Sequence, residues 1–404
     1  MWFGKLPEHW EAHKISELFE ERREKVSDVD FAPLSVSKGG VVPQIATVAK
    51  SNAGDNRKLV RVGDFAINSR SDRRGSSGIS VYDGSVSLIN IVLTPRNETN
   101  GKYWHYLLKC HDFIEEFYRN GRGIVADLWT TRYDEMKMIW LPLPPREEQD
   151  QIVRYLDWKV SQINKLINAK RQQIELLKEK RSNLIDSVIG NSTGERHRFR
   201  NVFSLYKGLG ITKADLKDEG VPCVNYGEIH SKYGFEVNPQ LHALKNVDEL
   251  YLEQSPKSLL RYGDFVFADT SEDLAGSGNF TYLNSDVPTF AGYHTIIARA
   301  DLQLKHRYVA YYFDAYEFRT QIRQRVNGVK VYSITRSILN STFVELPDEV
   351  EQDRIVATLD RACHAIDRSV ELLNKELLLL AEYRTRLIAD VVTGKKDVCG
   401  IAIP

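Results

Sequence analysis

The chain has 404 residues, 42% hydrophobic and 27% charged, and its 55 basic and 55 acidic residues give a formal net charge of zero. This composition is ordinary for a globular protein, and the length indicates two to four domains. No apolar run is long enough for a membrane span or a signal-peptide core, so we expect a cytoplasmic protein. The four cysteines include no C-x-x-C pair, which argues against a zinc site and a disulfide framework. The balanced charge argues against tight binding of nucleic acid by the chain alone.

Residues 1–142 show a mixed α/β pattern. The motif LVRVGDFAINSRSDRRGSSG at residues 59–78 is followed by the strand-like run SVSLINIVLTP and the helix-like run GKYWHYLLKCHDFIEEFY. A short strand then leads into Leu143-Pro144. We therefore predict a first α/β domain over residues 1–142.

Residues 143–194 carry a long helical pattern. Apolar residues recur at spacings of three and four, and no proline or glycine follows Pro145 until Gly190. This predicts one helix of roughly 42 residues and about 63 Å with a narrow apolar stripe. Lys170 and Arg181 interrupt the stripe. The predicted contact positions are Ile152, Leu156, Ile163, Leu177 and Leu184.

The second half of the chain repeats the first. Residues 195–345 contain LLRYGDFVFADTSEDLAGSG at 259–278, and strand-like and helix-like runs follow it in the same order as before. Residues 346–395 repeat the long helix, so that EEQDQIVRYLD aligns without a gap on VEQDRIVATLD, and residues 396–404 form a short tail. Arg384 aligns on Arg181. The matching stripe is Ile355, Leu359, Ile366, Leu380 and Leu387.

A long helix with one narrow apolar stripe needs a partner to bury that stripe. The economical arrangement is an antiparallel coiled coil between the two copies. The alternatives are that each helix packs on its own preceding domain, or that helices pair between chains. We therefore predict an α+β fold class, with two α/β domains separated by two long α-helices and related by a pseudo-two-fold internal duplication.

The order of parts, the LP…EQ..I...LD start of each helix and the R..LI..V end resemble the specificity subunits of type I restriction–modification systems over essentially the whole chain. The resemblance implies two target recognition domains, two conserved spacer helices and a bipartite DNA site with one half read by each domain. It implies no catalytic activity in this chain. The implied partners are two methyltransferase subunits, joined by restriction subunits where the assembly cuts DNA. S-adenosylmethionine would belong to the methyltransferase partner, and we expect this chain to bind no cofactor.

The motifs of catalysis are missing from the sequence. There is no [DNS]-P-P-[YF] methyltransferase loop, no glycine-rich fingerprint for S-adenosylmethionine, no complete P-loop at VVTGKKDV and no His-Glu-x-x-His. We therefore expect neither catalytic nor metal-binding residues. The alternative class of function is a coiled-coil scaffold that binds only proteins.

Reading a DNA sequence requires hydrogen-bond donors and acceptors at base edges and cations at phosphates. The arginine-rich loop of the first domain offers such donors, because its glycines allow close approach of the backbone and arginine binds guanine or phosphate through two donors. The matching loop of the second domain carries Glu272 and Asp273, so other basic and aromatic groups are favoured there. For every candidate the alternative is a structural or solvated residue. The predicted DNA-binding residues are Arg70, Arg73, Arg74, Ser76, Ser77, Arg122, Lys207, Lys213, Asn225, Tyr226, Lys232, His294, Arg325 and Lys330.

Neither domain is strongly basic. Residues 1–146 hold 21 basic and 19 acidic residues, and residues 195–347 hold 18 of each. Affinity for DNA comes largely from neutralising phosphates. We therefore expect the chain to bind double-stranded DNA weakly by itself and the methyltransferase partners to supply much of the affinity.

Overall fold

The structure is a computed structural model, and it describes residues 1–44, 54–97, 100–124, 129–328 and 330–403. The chain divides into two compact units. Unit 1 comprises Met1–Arg171 with Asn374–Pro404, and unit 2 comprises Gln172–Leu373. The predicted boundaries treat each helix as a segment of its own, whereas the structure divides each long helix between the two units. No helix in the described ranges has the length and apolar character needed to cross a membrane.

The described part of unit 1 contains several small antiparallel sheets and four short α-helices. Its strands are β1 (Glu11–Lys14), β2 (Phe19–Glu21), β3 (Lys25–Val26), β4 (Leu34–Ser37), β5 (Gly40–Pro43), β6 (Arg57–Val60), β7 (Phe65–Asn68), β8 (Ser77–Ile79), β9 (Gly84–Val86), β10 (Asn90–Pro95) and β11 (Trp140–Leu143). Its short helices are α1 (Ile15–Leu18), α2 (Gly101–Lys109), α3 (His111–Arg119) and α4 (Tyr133–Met136). The sheet orders are β2–β10–β7–β8, β3–β6–β9, β4–β5 and β1–β11.

The core of unit 1 lies where α2 and α3 cover the four-stranded sheet. Aromatic residues of both helices, among them Trp104 and Phe113, are fully buried with Phe65 of β7. The Trp104 ring packs edge-on against Phe19 of β2, with 5.1 Å between centroids. These apolar residues fall on one face of each helix, which is why both helices lie flat on the sheet.

Unit 2 repeats this plan with a larger sheet. Its strands are β12 (Glu195–Arg198), β13 (Phe203–Lys207), β14 (Val221–Val224), β15 (Phe235–Val237), β16 (Lys245–Val247), β17 (Leu259–Leu260), β18 (Phe265–Ala268), β19 (Thr270–Ser271), β20 (Phe280–Leu283), β21 (Thr289–Ala291), β22 (Thr295–Ala300), β23 (Tyr332–Ser333) and β24 (Phe343–Leu346). Its short helices are α6 (Tyr226–Ser231), α7 (Tyr251–Gln254), α8 (His306–Asp314), α9 (Tyr316–Arg323) and α10 (Arg336–Asn340). The sheet orders are β13–β22–β18–β20–β15, β16–β14–β21–β17, β12–β24 and β19–β23.

The Gly-Asp-Phe triplet shared by the two halves has a structural role. Gly63 and Gly263 have left-handed backbones, with φ of +91° and +82°, which glycine adopts without strain. Asp64 is buried and accepts hydrogen bonds from the Arg61 amide and the Arg22 side chain. Asp264 is also buried and accepts hydrogen bonds from the Arg261 amide and the Arg299 side chain. The triplet therefore marks a turn closed by a buried carboxylate.

The two long helices are α5 (Arg146–Gly190) and α11 (Glu349–Val392). The glutamine of each Glu-Gln pair secures the start of its helix. Gln149 Nε2 donates to the Pro144 carbonyl at 3.0 Å, and Gln352 Nε2 donates to the Pro347 carbonyl at 2.7 Å. Both glutamines are buried, so the repeated motif serves the fold.

Within each unit the two helices run antiparallel. In unit 1, Arg384 donates to Asn164 at 2.6 Å, and Lys170 pairs with Glu376. In unit 2, Arg181 pairs with Asp367 at 3.2 Å, and the last apolar turns of α5 share a core with the first turns of α11. Partner numbers fall along α11 as they rise along α5, as an antiparallel pair requires.

Most of the predicted stripe is buried. The buried members are Ile152, Leu156, Ile163, Ile355, Leu359, Ile366 and Leu387. Leu177, Leu184 and Leu380 are only half-buried. Ile152 and Leu156 share the core of the α/β domain that precedes them, and Ile355 and Leu359 do the same in unit 2. Helix pairing and packing on the preceding domain therefore occur together.

The C-terminal tail packs against unit 1. Val398 is buried. Gln151 Nε2, on the first turns of α5, donates to the carbonyls of Val398 and Ile401 at 3.1 and 2.9 Å. The predicted tail is therefore part of the unit 1 core.

Candidate nucleic-acid interface

The loop after β7 carries the arginines of unit 1. The Arg70 amide donates to Asn68 Oδ1 at 3.0 Å, which turns the chain at the end of the strand. Arg70 and Arg122 both pair through their backbones with Thr130. The structure thus brings together two exposed arginines from distant parts of the sequence.

Arg73 and Arg74 differ in their availability. The Arg73 side chain is 69% exposed, and its nearest carboxylate is Asp72 at 3.6 Å. Arg74 donates to Glu115 at 2.9 Å and lies over the Tyr118 ring, 5.3 Å from its centroid. Arg73 is therefore the better candidate for a phosphate or a base, because Arg74 already has protein partners.

The prediction of Ser77 as a DNA contact is wrong, because its side chain is completely inaccessible. The Ser76 amide donates to the Arg73 carbonyl, and the Ser76 carbonyl accepts from the Asn68 amide, so this part of the loop closes onto β7 and continues into β8. Ser76 is mostly buried but lines a cleft beside Arg73, so its contact with DNA stays a prediction.

In unit 2, aromatic candidates meet at one edge of the large sheet. Tyr226, at the start of α6, lies 5.4 Å from the His294 ring and 5.6 Å from the Tyr293 ring, between centroids. His294 has a left-handed backbone with φ +56°, which is uncommon for a residue with a side chain. Its exposed ring lies 3.1 Å from Asp269.

One predicted lysine lies at the same place. Exposed Lys207 ends β13 and pairs with Ile296 of β22, close to His294. The structure therefore gathers Lys207, Tyr226 and His294 around the start of β22. Lys330 is exposed two residues before β23, which pairs with β19, and its contact with DNA stays a prediction.

The remaining candidates of unit 2 do not join this group. Asn225 is almost completely buried, and its Oδ1 accepts from the Tyr293 amide at 3.3 Å, so its prediction as a DNA contact is wrong. Lys213 and Lys232 are exposed and, over the described ranges, make no side-chain contact with the group. Arg325 follows α9 and donates to the Gln321 carbonyl at 2.6 Å.

The two units share a backbone arrangement but present different side chains. Thr270 pairs with Ser333 in unit 2 as Arg70 pairs with Thr130 in unit 1. The acidic loop of unit 2 folds on itself, since Asp273 Oδ1 accepts from the Gly276 amide at 2.6 Å. One loop therefore offers arginine where the other offers a small hydroxyl.

Sequence reasoning missed some polar groups that hold these loops. His230 Nε2 lies 2.8 Å from the Thr270 carbonyl, and its Nδ1 lies 2.9 Å from the Asn279 side-chain amide. Arg57 of β6 is buried beside the hairpin formed by β4 and β5. Neither residue lies in a motif, so only the tertiary fold reveals them. The described ranges contain no cluster of three side chains suited to a metal ion.

Comparison with known proteins shows what the chain is similar to. Residues 7–176 match the sequence model described as the type I restriction modification DNA specificity domain. The provisionally named MjaX type I specificity subunit of Methanocaldococcus jannaschii is 19% identical, covering 97% of this chain and 95% of its own. The MjaVIII type I specificity subunit of the same organism is 20% identical over 80% of this chain and 77% of its own.

Solved structures share the fold of this chain. A chain from a study of complex assembly and conformational transition of the type I R-M system superposes with a TM-score of 0.71 at 15% identity, covering 97% of this chain and 100% of that one. The HsdS subunit from Thermoanaerobacter tengcongensis gives 0.52 at 17% identity, covering 97% and 98%. The predicted fold class is confirmed over essentially the full length.

Proposed function

We propose that this type I specificity subunit reads a bipartite site in double-stranded DNA, with the α/β domain of each unit reading one half. The observation that carries the proposal is the repeated loop after β7 and β18. It keeps the same backbone pairing in both units but presents exposed Arg70 in one and half-buried Thr270 in the other. Two copies of a reader with different side chains suit two different half-sites.

Exchange of one domain tests this assignment. Residues 1–143 are replaced by the corresponding block of another specificity subunit, and the methylated sites are mapped in a host that carries the methyltransferase. The junction follows β11 because β1 and β11 pair and must be exchanged together. One half of the methylated site should change while the other half stays the same. A change in both halves contradicts the modular assignment, and methylation that is independent of this chain favours a protein-only scaffold.

The long helices supply a docking surface for the methyltransferase partners. Leu176 of α5 and Leu379 of α11 occupy the same position in the two repeats, and each is 64% exposed. Leu372 and Leu378 are also exposed. Exposed leucines on charged helices favour contact with another protein. Two equivalent surfaces suit two methyltransferase subunits, which bind S-adenosylmethionine and carry out the chemistry, with restriction subunits joining where the assembly cuts DNA.

The antiparallel helices also set the gap between the half-sites in this proposal. Removing residues 167–173 together with 374–380 deletes one heptad from each helix at opposing positions. The pairs Asn164–Arg384 and Arg181–Asp367 remain in register. Each helix shortens by roughly 10 Å, which corresponds to about three base pairs of DNA. Selection from a library with randomised gaps should recover a shorter gap, and recovery of the original gap by a folded variant contradicts this role.

A further inference from the structure

A polar cleft of about 700 Å³ lies in unit 1 between the β4–β5 hairpin and the arginine loop. Among the residues that the structure describes, its basic lining residues are Lys38, Arg57 and Arg73, and its acidic lining residue is Asp72. Serines and amides form much of the remaining lining, and the cleft is open to solvent at one side. The cleft therefore has a surplus of hydrogen-bond donors and positive charge.

Arg57 is the unusual member of this group. It is only 7% exposed, and its Nε and Nη2 donate to the hydroxyl and carbonyl of Ser85 at 2.8 and 2.9 Å. In the part of the chain that the structure describes, no carboxylate lies within ion-pairing distance of its guanidinium, and its Nη1 makes no hydrogen bond. Burial lowers the pKa of Arg57, and the more distant charge of Asp28 offsets this only partly.

A buried charge without a counterion costs free energy. Most arginines of this chain that are shielded from solvent have carboxylate partners, as Arg299 has in Asp264. An anion that enters the cleft from outside would supply the partner that Arg57 lacks. Phosphate suits this position, because its oxygens accept charge-assisted hydrogen bonds and Nη1 of Arg57 is still able to donate one.

The hairpin that forms one wall is held firmly in place. Lys109 Nζ donates to the carbonyls of Lys38 and Ser77 at 3.0 and 2.6 Å. A Cβ added to Gly78 of β8 would lie 3.0 Å from the Cα of Gly40, so β5 sits directly on β8. The Lys38 ammonium therefore lies at the mouth of the cleft, on the tip of a β4–β5 hairpin that is fixed in place.

We infer that this cleft binds a single phosphate group of the DNA backbone, with Arg57 at its base and Arg73 and Lys38 at its mouth. The inference rests on the proposed function and adds the phosphate contact that fixes unit 1 on its half-site. The exposed Arg70 and Arg122 lie on the same loop system as Arg73. The repeat position of Arg57 in unit 2 is held by Lys257, which is exposed, so the cleft belongs to one half of the molecule.

The test uses the full chain assembled with its methyltransferase partner and the mapped target duplex. One phosphate at a time is replaced by an uncharged methylphosphonate, and affinity is measured for the wild type and for the double variant Lys38→Gln/Arg73→Gln. Both altered side chains are exposed, so the fold should be retained. The matched controls are Lys257→Gln, which removes a cation at the repeat position of Arg57, and Arg61→Gln, which removes an exposed cation of unit 1 outside the cleft.

Neutralising one or two adjacent phosphates in one half-site should lower the DNA affinity of the wild type. The same replacements should leave the affinity of the double variant unchanged. For each phosphate that the double variant no longer binds, the salt exponent should fall by about 0.9, so that the affinity ratio between 50 and 200 mM salt falls by about 3.5-fold. The reduction in affinity should be equal for all sequences, and both controls should keep the wild-type phosphate profile.

Retention of the wild-type phosphate profile by the double variant overturns the inference. So does a loss of discrimination at one base pair with an unchanged salt exponent, which would assign the cleft to a base. In both cases the wild type still selects its site, so the proposed function stands. Arg57→Lys, which keeps the charge but loses the two-donor geometry, should weaken binding only at the same phosphate. If the wild-type assembly does not select a site at all, the proposed function itself fails.

Discussion

The two units treat the same arginine of the helix pair differently. In unit 2, Arg181 donates to Asp314, the last residue of α8, at 2.9 Å. In unit 1 the equivalent Arg384 donates to Asn164 at 2.6 Å, and the last residue of α2 is Lys109 instead of an acid. The place where the long helix meets the end of α8 therefore has a network of ion pairs in unit 2. The matching place in unit 1 has an asparagine amide and a lysine.

The anchoring of the helices is nevertheless shared. Tyr106 donates to Asp157 at 2.8 Å, and Tyr311 donates to Asp360 at 2.7 Å. These contacts explain the aspartate of each Leu-Asp pair, which ties α5 or α11 to the α/β domain. The residues that tie each long helix to its α/β domain are therefore the same in both units. The residues that connect this helix–domain contact to the recognition loops differ.

The changed residues lead to different places. From Asp314 the hydrogen bonds of unit 2 continue through Arg319, Asn279 and His230 to the Thr270 carbonyl of the recognition loop. In unit 1, Lys109 instead holds the β4–β5 hairpin through two carbonyls. Each unit thus braces its own recognition surface from the same helix end.

The largest effect should come from breaking the ion pairs of unit 2. Burial alone would raise the pKa of Asp314, but Arg319 and Arg181 outweigh it and hold the pKa below its ordinary value. Asp314→Asn leaves shielded Arg319 without its carboxylate partner and leaves Arg181 paired with Asp367, and we expect it to destabilise unit 2 by about 3 kcal/mol. Chemical denaturation measures the change. Asn164→Ala, which removes the partner of Arg384, should cost only about 1 kcal/mol, and equal costs would contradict the contrast between the units.

A pH effect of His105 should appear in unit 1. Burial, with help from Lys109, lowers the pKa of His105 from 6.5 to about 4. Between these values the unfolded chain binds a proton that the folded chain does not, so stability falls as the pH drops through this range, by about 2 kcal/mol after allowance for partial exposure. Hydrogen exchange of unit 1 amides at pH 6.5 and 4.5 measures the loss.

His105→Gln should remove this pH dependence. The repeat position in unit 2 is Ala310, and burial lowers the pKa of His306 in that unit, so the pH dependence of unit 2 amides should be the same in the variant as in the wild type. A variant that keeps the wild-type slope in unit 1 would show that another group is responsible.

Replacing the glutamine at the start of each long helix should change the free energy of unfolding by a smaller amount, and the two changes should differ. Gln149 makes two hydrogen bonds, one to the Pro144 carbonyl and one from the Asn100 amide at 3.2 Å. Gln352 donates to Pro347, but its buried Oε1 has no partner in the described structure. We expect Gln149→Ala to cost about 2 kcal/mol and Gln352→Ala about 1 kcal/mol, as measured by urea denaturation. The reverse order would show that the shared motif is not held by these bonds.

The smallest effect concerns the loop position that differs between the units. Arg70→Thr should reduce the salt exponent of DNA binding by up to about 0.9, and Thr270→Arg should raise it by a similar amount. Both changes are measured as binding isotherms at several salt concentrations with the assembled methyltransferase. The two substitutions in one chain should restore the wild-type exponent, and failure of the pair to compensate would assign at least one position a role away from phosphates.

The repeated helices could be predicted because an apolar stripe at heptad spacing depends on local sequence alone. The division of each long helix between the two units could not be predicted, because it depends on which domain each part of the apolar stripe packs against. Ser76 and Asn225 illustrate the same limit for the site, since a small polar residue beside glycine or tyrosine looks equally suited to a loop surface or to a buried turn. Arg57 is the converse case, because a basic residue next to Lys58 at the start of a strand gives no sign that the fold will enclose it.

Unit 1 combines residues up to Arg171 with residues from Asn374 onward, whereas unit 2 is one continuous stretch. During synthesis all of unit 2 therefore emerges before the part of α11 that completes unit 1. The α/β domain of unit 1 is made first, but part of its core stays uncovered until the end of α11 is made. The domain of unit 2 can therefore finish folding first, which reverses the usual order in which N-terminal domains fold before later ones. Ribosome-bound chains halted after residue 373 has emerged should resist protease in unit 2 and be cut in unit 1.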